Sequence, residues 1–273
     1  ERIIYLSLTL SLFRRGNFIA HFKESITMTF NQTFLNKLSE SNKIVFFTGA
    51  GISAESGIPT FRGAGGIWNK LKPEELANFN AFMRNPQMVW EWYNHRKKII
   101  HEAKPNAGHL AIAEMQNLFD EVTVVTQNID NLHRRSGSKN IFELHGNIER
   151  NFCVNCRTFY NEELDFSNGV PKCKCGGLIR PDVVWFGEYL PEDQFEGGEL
   201  AAVNSDIFFV VGTSAVVYPA AGLVHAAKRA GSFIVEVNVV ETEISSICDE
   251  SFFGEAGKIL PEIVKEIKKI REH

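Results

Sequence analysis

The sequence predicts an α/β fold in which a parallel sheet is covered by helices and a small cysteine-containing module is inserted. Short apolar runs alternate with helical patterns along most of the 273 residues. Several runs are continuously apolar, as in strands buried on both faces. Between residues 150 and 180 this rhythm gives way to a polar stretch with four of the five cysteines. A chain of this length is expected to form one large domain with a smaller insertion.

The elements can be assigned in chain order. A helix is predicted over residues 32–38 and a strand over 43–48, followed by a glycine-rich loop over 59–68 that could move beside a ligand. Pro105 and Asn106 are typical of a capped helix start. Further helices are predicted over residues 86–103, 106–118, 219–230 and 256–271, and further strands over residues 121–126, 141–144, 183–186, 206–211 and 233–237.

Composition excludes several classes of protein. The apolar fraction is 44% and the charged fraction 23%, which is typical of globular domains and not of disordered or membrane proteins. A net charge of −4 gives no support for nucleic-acid binding. We expect residues 1–27, which precede the first methionine, to be an extension outside the core, and an N-terminal helix that packs on the domain is the alternative. We also expect a cytoplasmic protein without a membrane contact, because no signal-peptide pattern is visible. The sequence does not determine the oligomeric state, and a monomer is expected.

The strongest local signal is an apolar run that breaks into small residues. The strand over 43–48 leads into Gly49-Ala50-Gly51, where missing Cβ atoms allow a tight turn and close approach of a ligand. The helix that follows could present free amides to a pyrophosphate. The usual Rossmann spacing would place a glycine at Ala54, whereas the next one is Gly57. A dinucleotide is therefore one interpretation, and an ordinary strand-to-helix turn is the other.

Four cysteines form two close pairs, Cys153 with Cys156 and Cys173 with Cys175, separated by sixteen residues. Two thiolate pairs on adjoining turns are typical of a structural zinc site, in which four protein ligands leave no open position for catalysis. A disulfide and a redox Cys-x-x-Cys are the alternatives. Zinc is favoured because nothing marks the chain as exported and the helical context of the redox motif is absent.

Polar residues follow two of the predicted strands. Gln127, Asn128 and Asp130 come after one strand, and His145 comes after the next. The carboxyl ends of strands are where open α/β sheets hold ligands. Carboxamides and a carboxylate suit ribose hydroxyls or a nicotinamide amide, and histidine is a suitable general base near neutral pH.

Taken together, these segments resemble the sirtuins, which are NAD-dependent protein-lysine deacylases, from about Asn42 to the last helix. The matching segments are residues 49–62, 126–130, 144–147, 183–188, 212–214 and 235–238, together with the four cysteines. The resemblance implies a Rossmann-like NAD-binding domain over 28–60, 104–148 and 181–273. It also implies a cofactor loop with a helical part over 61–103 and a zinc module over 149–180.

The resemblance implies an activity and a set of site residues. NAD would be the cosubstrate, one zinc ion would be structural, and acylated-lysine proteins or peptides would be the partners. The products would be nicotinamide, free lysine and acyl-ADP-ribose. His145, Asn128 and Asp130 would be catalytic. NAD would be surrounded by Gly49, Ala50, Gly51, Ala54, Thr60, Phe61, Arg62, Gln127, Asn128, Asp130, Gly212, Thr213, Ser214, Asn238 and Ala256. The peptide would lie as an added strand against Val184, Trp185, Phe186 and Gly187.

The helix over 86–103 carries Tyr93 and Arg96 three residues apart, on one face. A phenol and a guanidinium could together bind a carboxylate in the acyl pocket. The pair resembles the sirtuin branch that prefers succinyl-, malonyl- or glutaryl-lysine, and acetyl-lysine is expected to be accepted as well. A packed ring beside a solvated charge is the alternative.

Three other functions remain open at this stage. A zinc-containing NAD dehydrogenase would need an open zinc position, which four cysteines do not provide. A mono-ADP-ribosyltransferase would use the same cleavage of nicotinamide. A noncatalytic NAD-binding module would keep the fold without turnover.

Overall fold

The computed structural model describes residues 28–61, 66–67, 72–161, 164–166 and 169–271. The expected extension over 1–27 and half of the glycine-rich loop, including Arg62, lie outside the described residues. The helices are α1 Gln32–Glu40, α2 Gly51–Ala54, α3 Pro73–Leu76, α4 Phe79–Arg84, α5 Pro86–Glu102, α6 Ala107–Met115, α7 Leu132–Arg135, α8 Glu192–Val203, α9 Gly222–Ala230 and α10 Ala256–Arg271. The strands are β1 Lys43–Thr48, β2 Glu121–Thr126, β3 Ile141–Glu143, β4 Gly146–Cys153, β5 Phe159–Tyr160, β6 Ile179–Val183, β7 Ile207–Val211, β8 Phe233–Asn238 and β9 Glu250–Phe253.

Six strands form one parallel sheet in the order β3-β2-β1-β7-β8-β9. The chain moves outward from β1 to β3 on one side, and then from β7 to β9 on the other. Strand order therefore reverses between β1 and β7. Thr48 pairs with Thr126 on one side and Val211 on the other, so the three central strands end at the same level. The sheet confirms the predicted α/β class.

Helices cover both faces of this sheet. Phe46 stacks on Phe209 at a centroid distance of 4.8 Å, in the layer that includes buried side chains of α1, α6 and α10. The next residue, Phe47, stacks on Phe208 at 5.9 Å in the opposite layer, with α8 and α9. Successive strand residues point to opposite faces. The continuous apolar runs are thus explained by burial on both sides.

Side-chain caps set the starts of the helices that the sequence predicted. Asn106 accepts hydrogen bonds from the backbone N–H groups of Gly108 and His109 at the start of α6. Asn85 accepts from Met88 before α5, whose first residue is Pro86. Both arrangements satisfy amides that a helix leaves unpaired. Among the described residues, none of the helices has the length and apolar character to cross a bilayer.

The inserted module contains a three-stranded antiparallel sheet in the order β5-β4-β6. Its strands pack with α4 and α5 around a separate core that includes Phe82, Trp90 and Trp185. Arg150 on β4 joins the module to the large sheet, because its guanidinium pairs with Glu143 and with Asp182, each at 2.8 Å. The module is therefore anchored beside the end of β3.

The strand predicted over 183–186 is wrong in its position. The ladder with β4 ends at Val183. Beyond it, Val184 N–H donates to the His145 carbonyl at 3.0 Å and Phe186 N–H to the Ala77 carbonyl at 2.9 Å. Residues 184–186 continue the apolar pattern that begins at Val183, but their backbone N–H groups no longer donate to a neighbouring strand. Sequence reasoning also missed β4, β9 and α8 as elements.

Gly146 is needed where the two parts of the chain join. Its φ is +79°, and an added Cβ would lie 2.2 Å from the Asp182 carbonyl oxygen. Gly137 has φ +100° but open space around a Cβ. We predict that Gly137→Ala lowers the free energy of unfolding by about 1–2 kcal/mol, because only the left-handed backbone is penalised. Gly146→Ala should add roughly 1–3 kcal/mol for the clash. Urea denaturation measures both, and equal losses would contradict the contact.

Candidate active site

Two glycine loops cross at the carboxyl edge of the large sheet, where strand order reverses. Gly51 N–H donates to the Gly212 carbonyl at 2.7 Å, and Gly49 N–H donates to the Val211 carbonyl at 3.0 Å. A Cβ on Gly51 would lie 2.7 Å from Gly212 Cα. Gly212 itself has φ +59°. Neither loop could come this close with a side chain, so the glycines create the crevice in which such sheets bind ligands.

Polar groups surround this crossing. Gln127 Nε2 donates to Thr213 Oγ1 at 3.0 Å, linking the end of β2 to the loop after β7. Asn238 Nδ2, at the end of β8, donates to the Thr213 carbonyl at 3.0 Å. Ser214 is exposed beside them. The residues predicted to hold the two halves of a dinucleotide therefore line one edge.

Ser53 connects the two predicted catalytic polar residues. Its hydroxyl donates to Asp130 Oδ2 at 2.7 Å and accepts from Asn128 Nδ2 at 3.2 Å. The Asn128 amide also donates to the Gly49 carbonyl at 3.0 Å, so Asn128 Oδ1 is the end that remains for a ligand. Burial raises the pKa of Asp130 despite its hydrogen bonds and the nearby Arg96.

A buried histidine supports this cluster from behind. His109 Nε2 lies 3.4 Å from Ser53 Oγ, and His109 Nδ1 accepts from the Asn106 backbone N–H at 3.4 Å. Burial lowers the pKa of His109 to about 4, so the ring stays neutral. Sequence reasoning missed Ser53 and His109 as site residues. Ser53 could have been found from its place in the glycine segment, whereas His109 gave only a capping signal.

His145 is held in one tautomer at the same edge. Its Nδ1 lies 2.9 Å from the Gln127 carbonyl oxygen. A carbonyl oxygen only accepts, so Nδ1 carries the proton and Nε2 of the neutral ring keeps its lone pair. The ring is half-buried, and burial lowers its pKa from the usual 6.5. The arrangement presents a fixed base at neutral pH.

The four predicted cysteines come together in the inserted module. Their Sγ atoms all lie within 4.8 Å of one another. Cys153 is 3.5 Å from Cys175 and Cys156 is 3.5 Å from Cys173, too far for disulfide bonds of about 2 Å. This spacing and the all-sulfur donor set fit tetrahedral zinc, with Zn–S bonds of about 2.3 Å.

Tyr93 and Arg96 lie together on one buried face of α5. The Tyr93 oxygen accepts from Trp185 Nε1 at 2.7 Å. The Arg96 guanidinium carbon lies 4.8 Å from the Phe61 ring centroid and 5.4 Å from that of Trp92. Arg96 Nε is buried without a hydrogen-bond partner in the described part of the chain. Arg96 is therefore a stacked, buried cation and not a solvated charge.

With this geometry in place, the chain can be compared with known proteins. The sequence profile described as the Sir2 family matches residues 49–219. This chain belongs to the Sir2 family. NAD-dependent protein deacylase 2 of Pyrobaculum aerophilum is 51% identical over 234 residues, which cover 85% of this chain and 94% of that protein.

Solved Sir2 structures share the fold of this Sir2 protein. A Sir2 homolog–NAD complex matches with a TM-score of 0.82 and 43% identity, covering 88% of this chain and 95% of that one. A Sir2–p53 peptide–NAD+ structure matches with a TM-score of 0.78 and 35% identity, covering 86% and 97%. The predicted sirtuin resemblance is confirmed.

Not every predicted residue of this Sir2 protein lies in the polar cluster. Ala54 is exposed at the end of α2, and Thr60 and Phe61 follow it in the segment toward the glycine-rich loop. Ala256 is buried at the start of α10, where the next residue donates its N–H to Glu55. The described site therefore brings together the glycine crossing, the amide and carboxylate groups, and His145. The roles assigned to the individual residues stay predictions.

Loss of one zinc ligand should destabilise the Sir2 protein. We predict that Cys153→Ser removes the one bound zinc ion and costs at least about 2 kcal/mol, or about 4–8 °C in melting temperature. Cys248→Ser is the matched control, because this fifth cysteine lies outside the cluster. Metal analysis and thermal unfolding measure the two effects. Equal zinc content in wild type and Cys153→Ser would rule out the assignment.

Proposed function

We propose that this chain is an NAD-dependent protein-lysine deacylase that accepts succinyl-, malonyl- and glutaryl-lysine as well as acetyl-lysine. The observation that carries this proposal is His145, whose Nδ1 is bound to the carbonyl of Gln127, the residue whose side chain reaches the loop after β7. The Sir2-family membership and the deacylase names of the relatives support the same conclusion.

The donors and acceptors at the crevice fit NAD. When bound, NAD supplies a ribose carbon that nicotinamide leaves, so that ADP-ribose can take the acyl group. The glycine crossing gives the phosphates close access to the backbone. Thr213 and Ser214 supply hydroxyls and Asn238 a carboxamide for the adenosine half, in keeping with their place at the ends of β7 and β8.

His145 acts as the general base in this proposal. Its Nδ1–H stays bound to the Gln127 carbonyl, so the ring cannot turn and Nε2 is the atom that takes a proton from a ribose hydroxyl. Because burial lowers its pKa, the ring is neutral and ready to accept a proton at pH 7.

Asn128 and Asp130 act by orientation. Ser53 holds Asp130 Oδ2, and the Leu132 backbone N–H donates to Asp130 Oδ1 at 3.0 Å. Each carboxylate oxygen keeps a further lone pair for an amide or hydroxyl. Asn128 offers its Oδ1 beside them, since both amide protons are used within the protein.

The acylated peptide would bind along residues 184–187. This segment has left the β6 ladder, Phe186 is exposed, and Gly187 with φ +87° has open space around it. Because the N–H groups of Val184, Trp185 and Phe186 are already donated within the protein, an extended peptide would add to this segment chiefly through its carbonyl oxygens, with little sequence preference. Zinc on the four cysteines would stabilise the neighbouring module without taking part in the reaction.

The acyl group would extend toward Tyr93 and Arg96. A buried guanidinium whose Nε–H has no acceptor among the described residues favours a carboxylate at its side, because a buried donor without a partner costs free energy. Acetyl-lysine has no group that could pair with it. The acidic-acyl preference is thus supported by charge, and acetyl is accepted because it is smaller.

Replacing His145 tests the proposed activity. His145→Ala should lower kcat at least about 100-fold with little change in melting temperature, because only the base is lost. His101→Ala, which removes an exposed histidine, is the control.

In the wild type, kcat/KM should fall with decreasing pH along a limb centred below pH 6.5, because the lowered pKa keeps His145 neutral to more acidic conditions.

Mass spectrometry with NAD and acyl peptides follows nicotinamide and acyl-ADP-ribose. Unchanged turnover in His145→Ala would refute the base assignment. Label from NAD that ends on protein would instead identify an ADP-ribosyltransferase.

Replacing Arg96 tests the acidic-acyl preference. Arg96→Met should lower kcat/KM for succinyl-lysine about 10- to 100-fold, and far less for acetyl-lysine, because a charge-assisted hydrogen bond to the carboxylate is lost. Lys98→Met removes an exposed cation from the same helix and should leave both rates close to wild type. Equal losses on the two substrates would sink the carboxylate contact.

A further inference from the structure

The side chain of Trp185 is held on several sides although its segment is not in a strand. It is 1% exposed. The Arg180 guanidinium carbon lies 3.2 Å from the Trp185 ring centroid, and the Phe82 ring packs at 5.3 Å. The Trp185 backbone N–H donates to Glu188 Oε2 at 2.8 Å. Such contacts leave the indole a single orientation.

The ion pair between Arg180 and Glu188 makes the surroundings of the Trp185 ring rigid. Arg180 donates to Glu188 Oε1 at 2.5 Å and to Glu188 Oε2 at 3.0 Å. It also donates to the Val183 carbonyl at 2.6 Å, at the end of β6. A bidentate pair fixes both distance and plane. The indole is therefore tied to the last strand of the small sheet.

The indole N–H determines how the Tyr93 hydroxyl is used. Indole is a donor only, so the Tyr93 oxygen must accept its N–H at 2.7 Å. The proton of the Tyr93 hydroxyl is then left to donate elsewhere. Burial raises the pKa of Tyr93 to about 12, so the hydroxyl keeps this proton at any working pH.

Two donors on the same face of α5 lack an acceptor. No hydrogen bond from the Tyr93 hydroxyl, or from Arg96 Nε, goes to a residue within the described ranges. Donors that are buried without a partner cost free energy. The two oxygens of a carboxylate could satisfy both, whereas the terminal methyl of an acetyl group could satisfy neither.

We propose that Trp185 is a positioning residue for acyl-chain selectivity: its indole N–H occupies the acceptor side of Tyr93 and so aims the hydroxyl proton at the carboxylate of an acidic acyl group. Without the indole N–H, the Tyr93 oxygen would be free to accept from the guanidinium of Arg96. The hydroxyl could then rotate about its C–O bond, so that its proton would no longer be aimed at the carboxylate. The inference rests on the proposed acidic-acyl activity and names the residue that sets it.

The test compares Trp185→Phe, Tyr93→Phe and the double variant on three peptides, which carry acetyl-, butyryl- and succinyl-lysine. Butyryl controls for chain length without offering an acceptor. Each single variant should lower the ratio of succinyl to acetyl kcat/KM about five- to tenfold. The double variant should lower the ratio no further, because both changes remove the same oriented hydroxyl.

Trp90→Phe is the matched control. It removes another buried indole N–H of the same core, which donates to the Ile179 carbonyl at 2.9 Å. It should destabilise the protein without changing the acyl ratio. Equal losses of kcat/KM by Trp185→Phe on all three peptides would overturn the inference, and so would additive losses in the double variant. If the wild type still prefers succinyl-lysine in that case, the proposed function stands. A wild type that removes acetyl but neither succinyl nor glutaryl would overturn the acidic-acyl proposal itself and the inference with it.

A measurement on folded protein covers the case in which Trp185→Phe does not fold. The chain has four tryptophans, so ¹⁵N-labelled indoles give few NMR signals. The Trp185 signal should shift in Tyr93→Phe, and in the wild type it should shift further on binding succinyl-peptide than on binding acetyl-peptide, because only the succinyl carboxylate binds the Tyr93 hydroxyl. A signal that stays in place in Tyr93→Phe would refute the bond, and shifts of equal size with both peptides would refute the selectivity role.

Discussion

The close approach of two loops at Gly51 and Gly212 is the constraint on which the site depends. The backbones touch where strand order reverses, and a 2.7 Å hydrogen bond joins them. A methyl group on either residue would overlap the other loop. Because the loops end β1 and β7, the contact also sets where Thr213 and Gln127 meet. A crevice for a dinucleotide thus follows from two missing side chains in the middle of a parallel sheet.

The polar groups around this crevice are held in fixed orientations by hydrogen bonds to residues behind them. His109 supports Ser53, Ser53 binds Asp130 and Asn128, and the Gln127 carbonyl fixes the ring of His145. Each contact uses one donor or acceptor of a residue and leaves another for a ligand. Preorganisation of this kind means that little side-chain freedom is lost on binding. Burial lowers the pKa of His145, and the Nδ1–H of the ring still has an acceptor in the Gln127 carbonyl.

The inserted module is more than a zinc-stabilised attachment in this protein. Arg150 ties it to the carboxylate of Glu143 at the end of β3, two residues before His145. From the other side, the chain of contacts from Arg180 through Trp185 to Tyr93 joins its sheet to α5. His145, which we propose as the base, and Tyr93, which we propose to bind the acyl group, are therefore both connected to the same small sheet. The residues proposed for catalysis and for acyl selectivity are thus connected to one sheet, although they lie far apart in the sequence.

The parallel sheet, the glycine loop, the cysteine cluster and the polar residues after β2 and β3 could all be predicted from the amino-acid sequence. These features are local, since strand periodicity, missing Cβ atoms and close cysteine pairs can be recognised within short segments. Three further features depend on how the chain packs in three dimensions. They are the ends of β6, the support of Asp130 by Ser53 and His109, and the hydrogen bond from Trp185 to Tyr93. An apolar pattern does not say whether its backbone pairs with a strand, and a tryptophan 92 residues from its partner gives no sequence signal of a hydrogen bond. Packing alone brings such donors and acceptors together.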